Sequence, residues 1–139
     1  MTKNIVVLGA GFGGLRAARQ IYKSLKKSAL LENYKIRLID KNNFHTFTPL
    51  LYETATTSKQ TADNLKLKSL IAYPLSELLR NKKIEFLQGE VEKVDFVKAL
   101  VQLKNSELKF DYLVLALGSE TNYFDIPGLK ENSFALKTF

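Results

Sequence analysis

The residues best suited to chemistry lie near the start of the chain. Gly9-Ala10-Gly11-Phe12-Gly13-Gly14 meets the pattern G-x-G-x-x-G through Gly9, Gly11 and Gly14. Each of these glycines has its own physical task. Gly9 permits a tight turn off a strand, and Gly11 lets backbone approach a pyrophosphate with no Cβ in the way. Gly14 lets a helix pack close to a sheet. The free N–H groups and the positive end of that helix then hold phosphate charge. Asp40 supplies the other group such a site needs, a carboxylate that accepts a bond from a ribose hydroxyl. The blander assignments are a chance glycine-rich turn and a solvated turn carboxylate. Context argues against both, because the glycines follow one strand-like run and open a helix-like one, while Asp40 ends the next strand-like run. Asp40 followed by Lys41 leaves the choice of dinucleotide open. The carboxylate disfavours a 2′-phosphate and hence NADP, but NAD and FAD share the adenosine diphosphate half that these residues would contact.

The elements that must position these groups can be read from periodicity. Lys3–Leu8 is a short β-branched apolar run ending at glycine, the pattern of a strand buried on both faces. Across Gly13–Leu31, Leu15, Ala18, Tyr22 and Leu25 recur at helical spacing, with Arg16, Arg19, Lys23, Lys26 and Lys27 on other faces. Tyr34–Ile39 is a second strand, which ends at Asp40, and together these make a βαβ unit with parallel strands. Asp40 lies slightly farther from the glycines than usual, which the extra segment Lys26–Asn33 explains. Lys41–Thr48 reads as a loop, Pro49 opens a short helix through Leu50–Ala55, and Thr56–Asp63 reads as irregular. Pro74–Arg80 suits another helix and Ile84–Leu87 a third parallel strand. From Glu90 the period becomes two. Val91–Phe96, Ala99–Leu103 and Glu107–Phe110, with a turn at Asn105-Ser106, predict a small antiparallel meander. Tyr112–Leu115 should rejoin the parallel sheet, and Gly118–Gly128, containing Pro127, is a loop. The fold class expected is α/β: a Rossmann-like parallel sheet carrying a three-stranded antiparallel β-meander.

Composition narrows the function classes. At 139 residues the chain fits one compact domain, and its 45% hydrophobic and 25% charged residues are ordinary for a globular protein. No apolar run approaches the roughly 18 residues that suggest a membrane span. The start of the chain superficially resembles a signal peptide, but glycines interrupt it and no cleavage site follows, so the protein is expected to be cytoplasmic. The net charge of +7 fits a solvated lysine-rich surface or attraction to anionic lipid. Nucleic acid is not an expected partner, because no recognition module with interleaved aromatic and basic residues occurs. There is no cysteine, which removes disulfides and thiolate metal sites from the chain, and no metal is expected.

The order of elements resembles the flavoprotein fold with two dinucleotide-binding domains. There the FAD domain inserts a three-stranded meander after its third strand and returns to a strand ending in small residues. Leu115-Ala116-Leu117-Gly118 stands where that family commonly has Ala-Thr-Gly. Leu117 replaces the threonine and removes a hydroxyl, while Ala116 and Gly118 preserve space for the cofactor. Within that fold the chain resembles type II NADH dehydrogenases over nearly its whole length. The resemblance is carried by Ile5–Leu15, Leu38–His45, Thr48–Ala55, Asp111–Ala116 and Asn122-Tyr123-Phe124 leading into Ile126-Pro127-Gly128-Leu129. Pro49-Leu50-Leu51-Tyr52 is the most family-specific part. The resemblance implies FAD as cofactor, with Thr48, Pro49 and Leu50 near the flavin ring and the Val91 backbone offered to the adenine. It also implies NADH and a quinone as partners of the parent enzyme, held peripherally on the inner face of the cell membrane. Disulfide reductases and sulfide:quinone oxidoreductases share the fold but depend on redox cysteines, so dithiol chemistry is ruled out within this chain. His45, the only histidine, reads as a polar packing residue rather than a general acid or base, and Glu53 is treated likewise. Phe44, Phe47 and Tyr52 read as pocket wall or core. No catalytic side chain is assigned, because a flavin relaying hydride needs no protein nucleophile.

The resemblance further implies a longer parent. Such enzymes continue past Gly128-Leu129 into an NADH domain, return to complete the flavin domain, and end in a membrane-anchoring segment. Ala135-Leu136-Lys137-Thr138 is where they enter their next helix. Residues 1–139 are therefore expected to be the N-terminal part of an FAD-binding domain, inactive in isolation. Uncovered strand edges would favour self-association. Two other readings compete: a stand-alone NAD-binding regulatory module, and a basic interaction domain with a vestigial nucleotide site. The meander favours the flavin domain over the NAD module, and a bulky residue at Gly11 would spare partner binding only in the interaction domain.

Overall fold

The computed structural model describes residues 2–136. The chain runs β1 (Lys3–Leu8), α1 (Phe12–Lys27), a 3-10 turn at Leu31–Asn33, β2 (Tyr34–Asp40), β3 (Phe44–Thr46) and a second 3-10 turn at Thr48–Leu50. It continues through α2 (Leu51–Thr56), α3 (Lys59–Asn64), α4 (Leu67–Ile71), β4 (Ala72–Pro74) and α5 (Leu75–Leu78). The strands β5 (Ile84–Gln88), β6 (Val91–Asp95), β7 (Leu100–Leu103), β8 (Ser106–Lys109) and β9 (Tyr112–Leu115) complete it. The described residues fall into two compact units, one of residues 2–45 with 74–118 and one of 46–73 with 119–136.

The first unit is built on a four-stranded sheet in the order β5-β2-β1-β9, with every pair parallel. Parallel strands bury both faces, which is why Val6, Val7 and Leu8 run consecutively without solvent exposure. Alternation then divides them. Ile5, Val7, Ile36, Leu38 and Ile84 pack with Leu15 and Ala18 of α1 and with Leu75 and Leu79. Val6, Leu8 and Ile39 on the other face pack against Val101 and Leu103 of β7. The unit is thus three layers: helices, parallel sheet, and the antiparallel meander β6-β7-β8. Each fully buried Leu, Ile or Val adds about 1.5–3 kcal/mol to this sandwich.

Several boundaries differ from the sequence expectation, each for a local reason. The helix expected to reach Leu31 ends at Lys27. Ala29 turns left-handed (φ 55), with its N–H donating to the Lys26 carbonyl and the Leu30 N–H donating to the Leu25 carbonyl. That is a Schellman ending, made here without the customary glycine. The expected loop at 41–48 contains β3, which forms a two-stranded sheet with β4 where the chain leaves and re-enters the first unit. The stretch 56–63, expected to be irregular, contains most of α3, capped by Ser58 Oγ accepting the Thr61 N–H at 3.3 Å. The helix expected over 74–80 is the single turn α5. The β7–β8 turn falls at Lys104-Asn105, one residue early, with Leu103 opposite Ser106. The next helix expected from Ala135 runs onto residues 137–139, outside the described residues.

In the second unit, Leu51 and Ile71 are buried, and the Phe47 N–H donates to the Ile71 carbonyl at 2.7 Å. Its segment 119–136 carries no helix or strand. Among the described residues no helix is long and apolar enough to cross a membrane.

Candidate functional site

At the end of β1 the chain turns left-handed at Gly9 (φ +95), whose N–H donates to the Ile39 carbonyl at 2.7 Å. A Cβ on Gly9 would overlap the Ala116 carbonyl oxygen and stand 2.8 Å from its carbonyl carbon. Gly14 is equally constrained. A Cβ there would overlap the Gly9 carbonyl oxygen and stand 2.9 Å from the carbonyl carbon. The first turn of α1, the Gly9 turn and the end of β9 therefore meet backbone to backbone. Gly11, the N-cap of α1, is different: no atom lies within 4 Å of where its Cβ would be. The helix start has neither a capping side chain nor an acidic residue in its first turn. Its N–H groups and dipole consequently favour an anion beside Gly11.

Asp40, at the end of β2, accepts the Ala10 N–H on Oδ2 at 2.6 Å and the Asn42 N–H on Oδ1 at 2.9 Å. A carboxylate offers about four lone-pair sites, so two remain for a hydroxyl. Lys41 is exposed beside it, and its carbonyl accepts from Gln88 Nε2 at 3.0 Å. The Gly89 N–H donates to the Asp40 carbonyl at 2.9 Å, which sets the entry to β6, and so Val91, against the carboxyl end of β2. Val91 is half-buried and pairs with Leu103, just before an irregularity in the β6–β7 register. Beyond β9, Ala116 donates its N–H to the Leu8 carbonyl at 2.8 Å, and Gly118 is left-handed with open space at its Cβ position. Leu117 between them is exposed.

Parallel registers pair Leu8 with both Ile39 and Leu115, and Asp40 with Gln88. The fold thus gathers Gly9, Ala10, Gly11, Phe12, Gly13, Gly14, Asp40, Lys41, Val91, Ala116 and Gly118 along one carboxyl edge of the sheet. That is the edge at which open α/β sheets bind ligands. Thr48, Pro49 and Leu50 belong to the second unit, where they form the 3-10 turn ahead of α2. Thr48 and Pro49 are exposed there and Leu50 is half-buried.

His45, expected as a polar packing residue, packs against the glycine turn. It is 6% exposed in β3, with Nδ1 2.9 Å from the Ala10 carbonyl oxygen and its ring edge-on to Phe12 (centroids 4.7 Å apart). Glu53 lies at the surface and accepts the Tyr52 hydroxyl at 3.1 Å; that bond raises the tyrosine pKa. Among the described residues no cluster of three or more acidic or histidine side chains could hold a metal ion.

Comparison with known proteins accords with this geometry. The profile of the pyridine nucleotide-disulphide oxidoreductase family matches residues 3–139. The type II NADH:quinone oxidoreductase of Staphylococcus aureus is 32% identical over 135 residues, covering 97% of this chain. Among solved structures, the sulfide:quinone oxidoreductase of Aquifex aeolicus aligns over 99% of this chain and 29% of its own, at 28% identity and a TM-score of 0.75. NDH2 of Plasmodium falciparum, solved in complex with NADH, aligns over 94% of this chain and 25% of its own, at 27% identity and a TM-score of 0.70. The chain spans 31% of the length of the S. aureus relative. A match that extends from β1 past the glycine turn, the meander and the returning strand makes the assignment plain: this chain belongs to the pyridine nucleotide-disulphide oxidoreductase family.

Proposed function

We propose that the chain is the FAD-binding portion of an NADH dehydrogenase that passes electrons from NADH through FAD to a quinone. The observation that carries this reading is the contrast among the three motif glycines. Gly9 and Gly14 are taken up by backbone packing, whereas Gly11 faces open space at an uncapped helix N-terminus. A Cβ would intrude on that space, which would otherwise admit a pyrophosphate. The N–H groups of Gly11–Gly14 would hold the phosphates, the remaining Asp40 lone pairs the adenosine ribose, with Lys41 alongside. The Val91 backbone would meet the adenine, and Ala116 and Gly118 would admit the cofactor at the end of β9. Thr48, Pro49 and Leu50 would line the flavin ring. FAD supplies hydride acceptance and electron transfer, chemistry for which this chain needs only to bind and orient.

Placement of a three-stranded meander between β5 and β9, with the similarity to the S. aureus type II enzyme, supports FAD over NAD at this turn. NADH and the quinone are then substrates of the whole protein, of which residues 1–139 are the N-terminal part of the FAD domain. The charge of +7 supports a peripheral position on the inner face of the cell membrane, at about 1 kcal/mol per basic residue near an anionic leaflet. Self-association would use the outer strand β9, where Tyr112 and Leu115 are exposed. The test is to purify the chain, record its visible absorbance, and titrate FAD and NAD against it. Retained or tighter-bound FAD is expected; preference for NAD would refute the reading.

A further inference from the structure

Ala10, inside the glycine turn, is gripped on both sides. Its N–H donates to Asp40 Oδ2 at 2.6 Å, and His45 Nδ1 lies 2.9 Å from its carbonyl oxygen. A carbonyl only accepts, so Nδ1 carries the proton and donates. Burying a polar side chain is costly unless it is bonded, and His45 meets that condition through a backbone group of the turn itself. Phe12, the residue after Gly11, packs edge-on against the imidazole and holds the ring in place.

The consequence follows from peptide planarity. In a trans peptide the C=O and the next N–H point in opposite directions. No cis bond occurs among the described residues. Fixing the Ala10 carbonyl toward the buried imidazole therefore aims the Gly11 N–H the other way. Of the three motif glycines, Gly11 alone has open space at its Cβ position. We propose that His45 is a positioning residue of the dinucleotide site: it sets the Ala10–Gly11 peptide so that the Gly11 N–H faces the pyrophosphate. This rests on the dinucleotide reading above. Asp40 performs the same service for the preceding Gly9–Ala10 peptide, so the two planes flanking Ala10 are locked before any ligand arrives. Preorganised donors lower the ordering cost of binding.

The test uses the whole chain with His45→Leu, which fills the space without a donor, and His45→Asn, whose amide nitrogen sits near the place of Nδ1. Binding of FAD, ADP and adenosine is measured by titration, and the Gly11 amide is followed by NMR without ligand. His45→Leu should weaken FAD and ADP about tenfold, the worth of one hydrogen bond at ~1.4 kcal/mol, and leave adenosine unchanged. It should also shift the Gly11 amide resonance, and His45→Asn should restore both readouts. Should His45→Leu fail to fold, His45→Asn against His45→Gln decides, because the glutamine amide lies one carbon too far: an equal ADP-to-adenosine ratio in those two variants overturns the proposal. So does an unchanged ratio in folded His45→Leu, since a merely structural histidine would lower the melting point alone. Wild-type chain that binds neither FAD nor ADP would bring down the proposed function and this inference together. Binding that ignores His45 would bring down the inference by itself.

Discussion

Substituting the motif glycines one at a time separates packing from binding. In Gly14→Ala the new Cβ would overlap the Gly9 carbonyl oxygen and stand 2.9 Å from its carbon. Those are backbone atoms of a turn tied to Ile39 and Asp40, so they cannot swing aside as a side chain would. Relief requires α1 to lift from the sheet, loosening the packing of Leu15 and Ala18. Overpacking costs about 1–3 kcal/mol, and a backbone clash belongs at the upper end. At roughly 4 °C per kcal/mol for a chain of this size, Gly14→Ala should melt about 12 °C lower. Gly11→Ala meets nothing within 4 Å, and its φ of −67 suits alanine. It loses only the N-cap preference for glycine, under about 1 kcal/mol. Gly11→Val should likewise fold but lose FAD, because its branched side chain occupies the anion's space. Circular dichroism melts and FAD titrations on the same preparations read both effects. Equal melting of Gly14→Ala and wild type would refute the packing argument, and so would Gly11→Ala unfolding as early as Gly14→Ala.

Ala29 holds a left-handed conformation that glycine adopts freely, so Ala29→Gly should raise stability by about 0.5–1 kcal/mol, seen as a higher urea midpoint at unchanged slope. Val101 is fully buried between the meander and the parallel sheet, and Val101→Ala should cost ~2 kcal/mol; a neutral result would mean that the meander is not docked as described. Glu85 accepts from Lys35 and Arg37, each at 3.0 Å, and the Lys35 bond above all holds its carboxyl below the ordinary value of 4.5. Folding depresses this pKa, so the stabilisation is full above the ordinary value and fades as pH falls through the lower, folded one. Glu85→Gln should therefore lower the urea midpoint at neutral pH, by under about 1 kcal/mol for a pair this exposed, with the gap closing in acid and narrowing in high salt. A gap that persists in strong acid would show that the ion pairs are not its source.

What the sequence determined by itself is local. The apolar run Lys3–Leu8, the glycines after it and Asp40 at the end of the next run were sufficient to expect β1, the turn, α1 and β2, because period and turn chemistry act over a few neighbouring residues. The change of period at Glu90 marked the meander for the same reason. Residues 56–71 were not legible, because α3 and α4 are each six residues or fewer, and helices that short form only where tertiary contacts hold them. The site divides the same way. Spacing alone named the glycines and the carboxylate, whereas which glycine is locked and which stands open depended on how closely β9 approaches the turn. Likewise, nothing in the neighbourhood of Asp40 or His45 indicated that both side chains would close on Ala10. That meeting joins residues 30 and 35 positions apart, and it exists only because parallel pairing brings the end of β2 beside the end of β1.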